Sequence, residues 1–249
     1  MDTSGNPALG DGVLNRVETA TTGQVMSAKG TYAKTALLLG VLIISSILSM
    51  RWLDTLTGVS PWLFFWLPVI VSFVLAMMMS FDPKKAVVLA IPYAILQGIY
   101  LGVLSAIFAS AYDGIVGAAV LVTLAVFLAV LIGYQVGVLK ASPRFQRIII
   151  VAMLGITVYY ALSLLLSLFG ITTPLIASYS GWGIAFSVLV VITAALSLVL
   201  DFDFIERASN QRYPKYFEWY GAFGLMVGLI WLYAEILRLL AKLMSRRNQ

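Results

Sequence analysis

Cysteine and histidine are both missing from this chain of 249 residues. Without cysteine there is no disulfide framework and no thiolate metal site. Without histidine there is no imidazole proton relay, and the commonest transition-metal ligand is absent. Charged residues are also scarce, at 11% of the chain against about 25% in a typical soluble domain. Together with the 61% of hydrophobic residues, this composition indicates a protein that crosses a membrane several times.

Seven apolar stretches are candidates for membrane spans. They cover residues 35–50, 62–80, 86–109, 114–139, 148–169, 182–199 and 221–241. We therefore predict an all-α membrane protein, with one transmembrane domain over residues 35–249. Residues 1–34 are polar and lack the apolar core of a signal peptide. They are predicted to form a cytoplasmic N-terminal tail.

Lysine and arginine are distributed unevenly between the connections. Eleven fall in the N-terminal segment or after the second, fourth and sixth stretches: Arg16, Lys29, Lys34, Lys84, Lys85, Lys140, Arg144, Arg147, Arg207, Arg212 and Lys215. The opposite connections contain only Arg51. The positive-inside rule therefore places the N-terminus in the cytoplasm. The basic residues around the end of the seventh stretch conflict with this rule, so that stretch either crosses against it or returns inside; we favour seven crossings.

The seventh stretch, GAFGLMVGLIWLYAEILRLLA, contains a single acid, Glu235. A carboxyl at bilayer depth costs roughly 2.5 kcal/mol or more on insertion scales. It is therefore expected to face other helices or water and to mark an ion pathway or a proton-sensitive site. Three stretches also contain glycines four residues apart, a spacing that allows close helix packing: Gly98 and Gly102, Gly133 and Gly137, Gly224 and Gly228.

Asp201 and Asp203 form a second acidic group, in the run LDFDFIER that follows the sixth stretch. Taken alone, this group is compatible with a solvated helix end. Carboxylates at a helix C-terminus oppose the helix dipole, however, so two acids there are not an obvious stabilising choice.

The run VLDFDFIERASNQRYPKYFEWYGAFGLMVGLIWLYAEILRLLAKL resembles the C-terminal part of bacterial YccA-like members of the Bax inhibitor-1 family (the transmembrane Bax inhibitor motif family). The number of spans, the polar tail and the Pro-Lys-Lys connection agree with this resemblance. It implies a seven-helix bundle in which the other six helices surround the last one. The expected location is the bacterial cytoplasmic (inner) membrane.

The resemblance also implies a pH-sensitive calcium-permeable leak channel that is gated by two carboxyls sharing a proton. By motif these are Asp201 in the sixth span and Glu235 in the seventh, with Asp203 nearby. Two adjacent carboxyls titrate as a pair, which provides pH sensitivity without histidine. Calcium takes oxygen ligands, so Asp201, Asp203 and Glu235 are the candidate ligands of a transiently bound calcium ion. No resident cofactor is implied.

The sequence departs from the family pattern in two ways. Glu235 stands where members often have aspartate. The basic cluster that can latch onto the acid of the sixth span is here Lys84 and Lys85, without the bidentate geometry of arginine. Arg238, one turn from Glu235, is a further latch candidate.

A depth argument opposes direct contact between Asp201 and Glu235, since the two could differ by more than about 10 Å in height. We favour the direct pair. One alternative pairs Glu235 with Arg238 and leaves Asp201 and Asp203 as a helix end. Another gives Glu235 a tyrosine or glutamine from a neighbouring span, such as Gln97 or Gln135.

Other functions fit less well. The Gly-x-Gly-Asp signature of intramembrane aspartyl proteases is missing, and there is no histidine base, so we do not expect an enzyme. A retinal protein would need a lysine in the middle of the seventh span. Two alternatives stay open: a regulatory protein that binds a membrane protease or another membrane protein, and a proton-coupled cation exchanger. The expected partners are calcium ions or protons and the lipid bilayer; no nucleic-acid motif is present.

Overall fold

Residues 25–53, 61–171, 173 and 180–247 are described by the computed structural model. This part of the chain forms seven α-helices and a short 3-10 helix, Pro83–Lys85. The α-helices are α1 (Ala28–Leu53), α2 (Pro61–Phe81), α3 (Ala86–Ala109), α4 (Ile115–Gln135), α5 (Pro143–Leu168), α6 (Gly181–Asn210) and α7 (Phe217–Arg247). The described residues contain no strand beyond an isolated bridge between Val25 and Pro214.

Six of these helices are long and apolar enough to cross a membrane, and α2 adds a shorter apolar segment, Phe65–Phe81. The prediction of an all-α integral membrane protein is therefore confirmed, and seven helices fit the predicted number of spans. The predicted tail lies outside the described residues as far as residue 24. The last part of the predicted tail is helical, because α1 begins at Ala28 rather than at residue 35.

The buried core lies between α6 and α7. In the most apolar window of α7, 67% of residues are buried, against 17% in the corresponding windows of α1 and α5. Helix α7 contacts α1, α3, α4 and α6. Outward positions on the less buried helices carry large apolar side chains such as Ile44, Phe73, Leu121 and Val151. An apolar outer surface is what a bilayer requires of a helical bundle.

One end of the bundle collects the start of α1 and the α2–α3, α4–α5 and α6–α7 connections. There Val25 pairs with Pro214, and the Lys84 ammonium lies 6.0 Å from the centre of the Tyr216 ring. We call this the basic end, since the following residues lie in or directly beside its connections: Lys84, Lys85, Lys140, Arg144, Arg212 and Lys215. At the opposite end, Lys242 Nζ donates to the carbonyl of Gly183, 3.0 Å away, and so joins the end of α7 to the start of α6.

Helix α6 is longer than the sequence predicted, because it continues to Asn210 instead of ending near residue 199. Asp201 is therefore not at a helix end but inside the helix and the bundle, at 2% exposure. The apolar stretch stops at the first aspartate, but Phe202, Phe204 and Ile205 continue the buried surface. The proposed solvated helix end is thus incorrect for Asp201.

Two of the glycine pairs differ in the contacts that they make. A Cβ atom at Gly98 would lie 1.9 Å from Ser45 Oγ, and one at Gly102 would lie 1.9 Å from Ser49 Oγ. This pair on α3 therefore packs directly against small residues on α1, as expected. Gly133 and Gly137 serve a different purpose. Gly137 has a φ of +76° beyond the end of α4, where Leu139 N donates to the Gly133 carbonyl at 2.9 Å.

Replacing Gly137 with alanine should destabilise the protein by about 1–2 kcal/mol, because a Cβ atom is strained in the left-handed region. The matched control is Gly117→Ala within α4, where a Cβ atom would meet nothing within 4 Å. That control should be neutral or should stabilise by about 0.5–1 kcal/mol. Thermal unfolding of both variants in detergent makes the comparison. Equal melting temperatures would show that Gly137 is not a strained helix cap.

Candidate functional site

Three buried acids follow α7 from the basic end towards the other side. Asp201, Glu218 and Glu235 are only 2%, 3% and 1% exposed. Glu218 lies in the first turn of α7. Asp201 faces α7 from α6, with Oδ2 3.0 Å from where a Cβ atom of Gly228 would be. At 1.5 Å per residue along the helix axis, Gly228 lies about 15 Å beyond Glu218, and Glu235 lies about 10 Å beyond Gly228. We call these three carboxyls the buried acid row.

Glu235 is held by Arg238 and Tyr160. Arg238 Nη1 donates to Glu235 Oε1 at 2.7 Å, and the Tyr160 hydroxyl lies 3.0 Å and 3.1 Å from the two carboxylate oxygens. Arg238 Nη1 also donates to the Tyr160 hydroxyl at 3.0 Å. Its guanidinium lies 5.5 Å from the centre of the Tyr160 ring. The network therefore joins two positions of α7 to α5, with the Glu235 carboxylate buried and Arg238 30% exposed.

The structure does not bring Asp201 and Glu235 into contact. Glu235 bonds Tyr160 and Arg238, and Asp201 lies at the level of Gly228, two helical turns away. The direct carboxyl pair is thus absent from this conformation, as the depth argument suggested. The alternative that pairs Glu235 with Arg238 is present, and a tyrosine supplies the other contact. Gln97 instead bonds Ser72 at 2.7 Å.

Asp203 lies on a different face of α6 from Asp201. It pairs with Arg207 at 2.9 Å, and Gln146 Nε2 lies 3.4 Å from its Oδ2. It also lines a cavity of about 530 Å³ at the basic end, together with Tyr134, Gln135, Lys140 and Glu206. We call this cavity the acidic vestibule. The Tyr134 hydroxyl donates to Glu206 there.

The three candidate calcium ligands do not converge. Among the described residues there is no group of three or more acids placed to hold a metal ion. Asp203 is two residues from Asp201 and so points to another side of α6. Glu235 is at a third level.

Glu218 was not singled out from the sequence, where it appears only within the aromatic run YFEWY. Its Oε1 accepts hydrogen bonds from Ser27 N and Ser27 Oγ, both at 3.0 Å, and Lys34 Nζ donates to Oε2. Its position in the first turn of a helix also favours a negative charge. The sequence feature that could have indicated Glu218 is an acid near the start of a long apolar helix.

The start of α1 fits closely around Glu218. A Cβ atom at Gly30 would lie 2.2 Å from Glu218 Oε1, so a side chain there would displace the carboxylate. Met26 N donates to the Tyr213 carbonyl at 2.7 Å, next to the bridge between Val25 and Pro214. Glu218 therefore fixes the start of α1 against the α6–α7 connection.

Replacing Glu218 with alanine should release the start of α1. The hydrogen bonds from the exposed Ser27 and from Lys34 would be lost, at about 0.5–1.5 kcal/mol for each bond, because the freed donors can turn to water. Hydrogen exchange at the amides of Met26, Ser27 and Gly30 should become faster, while the amides in the middle of α6 stay protected. The control is Asp113→Asn, a change at an exposed acid between α3 and α4. Unchanged exchange at these three amides would refute the assigned contact.

The candidate latch lysines are exposed, on the 3-10 helix between α2 and α3. Lys84 Nζ lies above Tyr216 in the α6–α7 connection, and the 3-10 helix contacts α7. The basic cluster after α2 thus touches the connection between the two acid-bearing helices. Its action as a latch on Asp201 stays a prediction.

Two further oxygen atoms lie near Tyr160 on α5. The hydroxyls of Tyr159 and Ser163 are buried and have no hydrogen-bond partner among the described residues. Buried hydroxyls usually have a partner. This turn of α5 therefore carries two hydroxyls whose hydrogen-bonding capacity is not used by the described residues.

The chain was compared with known proteins. A family model described as "Bax inhibitor 1 like" matches residues 6–245, which confirms the family suggested by the C-terminal run. No curated protein and no solved structure matches the chain.

Proposed function

The chain belongs to the Bax inhibitor-1 family, and from this premise we propose that it is a pH-sensitive, calcium-permeable leak channel of the bacterial cytoplasmic membrane. The buried acid row along α7 is the observation that supports the proposal. An acid inside a membrane bundle marks an ion pathway by default, and here three acids occur at successive depths. In this proposal α7 is the central helix, and the basic end is cytoplasmic.

The ion path runs from the acidic vestibule past Asp201 to Glu235. Calcium is a hard cation that prefers carboxylate and hydroxyl oxygens, and both occur beside α7. With about one carboxylate at each level, binding is weak at every step. Conduction needs such weak, repeated sites, because an ion that binds tightly does not leave.

The described conformation is a closed one in this proposal. Arg238 holds the carboxylate of Glu235 and so occupies the position that a passing calcium ion needs. Opening requires Arg238 to move away from Glu235, while Tyr160 can stay bonded to the carboxylate.

Protons act by competing with calcium for the same oxygens. A carboxyl must be deprotonated to bind a metal ion. Lowering the pH therefore favours carboxyls without the negative charge that attracts calcium, and flux falls. Raising the pH restores these charges, and flux rises until Arg238 alone limits passage.

The test is calcium entry into proteoliposomes that contain the purified chain and an internal calcium dye. We expect entry to rise several-fold between about pH 5.5 and about pH 8.5, because protons compete less for the carboxylate oxygens as the pH rises. Protein-free liposomes are the control at each pH. Absence of flux at every pH would refute the channel and favour the regulatory role, with a membrane protein as partner. Saturable flux that depends on a counter-ion would favour the exchanger.

A further inference from the structure

A lateral cavity of about 310 Å³ lies between α1, α3, α4 and α7, away from the buried acid row. Its size is at the lower end of the roughly 300–1,000 Å³ typical of small-molecule sites. None of its lining residues is charged. Leu229, Ile230 and Tyr233 of α7 form part of its lining. The two aliphatic side chains are each only 8% exposed.

The hydroxyls on its wall are largely satisfied within the protein. Ser105 Oγ and the Tyr233 hydroxyl are 2.7 Å apart and share a hydrogen bond. Thr123 Oγ1 donates to the Ala119 carbonyl at 2.7 Å. With no charge and few available polar atoms, the cavity suits an apolar occupant, and an ion or a polar metabolite would lose its hydration there without compensation.

The cavity is continuous with the outer surface of the bundle. Ile43 and Ile47 on α1 and Leu124 on α4 line it and are 53%, 50% and 52% exposed. These residues belong to the apolar surface that six membrane-crossing helices place in hydrocarbon. The medium in contact with this opening is therefore the acyl-chain region of the bilayer.

We propose that an acyl chain of a bilayer phospholipid enters between α1 and α4 and occupies this cavity, with its inner part against Leu229 and Ile230. The chain is apolar, flexible and narrow, as the lining requires, and it is supplied by the surrounding medium. It contacts the segment of α7 between the levels of Asp201 and Glu235. The inference is independent of the proposed calcium leak.

The experiment reconstitutes the whole chain in nanodiscs of phosphatidylcholine that carries a photoactivatable diazirine in the middle of one acyl chain. After irradiation and digestion, mass spectrometry locates the adducts. We expect adducts on Leu229 or Ile230 in addition to those on outward residues. Adducts confined to outward positions such as Ile44, Phe73 and Leu121 would overturn the proposal.

A pair of matched variants tests the entrance. Val120 lines the cavity and is 42% exposed, whereas its neighbour Leu121 is 70% exposed and does not line it. Val120→Trp should reduce the adducts on Leu229 and Ile230 several-fold, and Leu121→Trp should leave them unchanged. Equal adduct yields in the two variants would also overturn the proposal. Thermal unfolding checks that each variant is folded. If Val120→Trp fails to fold, a second pair takes its place, with Ile47→Trp as the test and Ile44→Trp as the control.

Discussion

Replacing Gly98 with leucine is expected to prevent normal assembly of the bundle. A Cβ atom at this position would lie 2.4 Å from the backbone carbonyl oxygen of Leu42 and 1.9 Å from Ser45 Oγ. The serine hydroxyl can rotate, but the carbonyl cannot move without moving α1. Overpacking usually costs about 1–3 kcal/mol, and leucine adds three more carbons to an existing backbone clash, so we expect the upper end of this range or more.

The contact matters because α1 and α3 lie so close together over two turns. Gly102 repeats the arrangement one turn further on, against Ser49, whose Oγ is 3.3 Å from the carbonyl oxygen of Ile99 on α3. Close backbone approach of this kind stabilises helix pairs in lipid, where apolar burial gives little advantage. Separating the two helices would lose the contacts at both glycines together.

Size-exclusion chromatography and thermal unfolding in detergent measure this effect. The control is Gly117→Leu on α4, where a Cβ atom has open space. We expect aggregation or a strongly lowered melting temperature for Gly98→Leu, an intermediate effect for Gly98→Ala, and near-native behaviour for Gly117→Leu. A Gly98→Leu protein that melts like the control would show that the two helices are further apart than described.

The second large effect is expected for Arg238→Gln. This change leaves the Glu235 carboxylate buried, with the Tyr160 hydroxyl as its remaining partner. Removing one member of a fully buried ion pair typically costs about 3–5 kcal/mol. Because the Glu235 side chain is 2% exposed but that of Arg238 is 30% exposed, we expect the lower end of this range or less. The double variant Glu235→Gln/Arg238→Gln should be more stable than Arg238→Gln, because it removes the unpaired charge together with its partner.

The pair of Asp203 and Arg207 is a suitable comparison. It is also formed within one helix, and the side chains of the two arginines are equally exposed, at 31% for Arg207 and 30% for Arg238. The acids differ, because the side chain of Asp203 is 21% exposed and that of Glu235 only 2%. Arg207→Gln should therefore cost no more than about 1 kcal/mol. Thermal unfolding of the unchanged protein and these three variants makes the comparison. Equal destabilisation by Arg207→Gln and Arg238→Gln would show that Glu235 is better solvated than its 1% exposure indicates.

The same variant bears on conduction. Once Arg238 is removed, the Glu235 carboxylate keeps its charge but loses the cation that is hydrogen-bonded to it. We therefore expect calcium entry at neutral pH to exceed that of the unchanged protein. Calcium entry below that of the unchanged protein would mean that Arg238 maintains the path and does not block it.

Features that depend on the distribution of polar and apolar residues along the chain were predicted well from the sequence. The scarcity of charge and the apolar stretches predicted a helical membrane protein, and the lone acid Glu235 was correctly expected to face the interior. Close packing at Gly98 and Gly102 also followed from spacing alone. The four-residue spacing was misleading for Gly137. A glycine that ends a helix can stand four residues after another glycine just as one that packs within a helix does.

The remaining features depend on tertiary contacts. The end of α6 was placed too early because an apolar window stops at Asp201, although the next residues still bury one face. The partner of Glu235 could not be chosen, since Tyr160 is distant in sequence and only the fold brings it near. Glu218 was missed because its importance comes from Ser27, Gly30 and Lys34 at the other end of the chain.

The most direct test of the proton-sensitive path compares calcium entry into proteoliposomes for the unchanged protein, Asp201→Asn and Glu235→Gln between about pH 5.5 and about pH 8.5. Asp113→Asn, at an exposed acid outside the path, is the control, and thermal unfolding confirms that each variant is folded. We predict that entry rises with pH in the unchanged protein and the control, and that the rise is flattened in both path variants. Profiles that keep the same pH dependence in all four proteins would contradict the proposal.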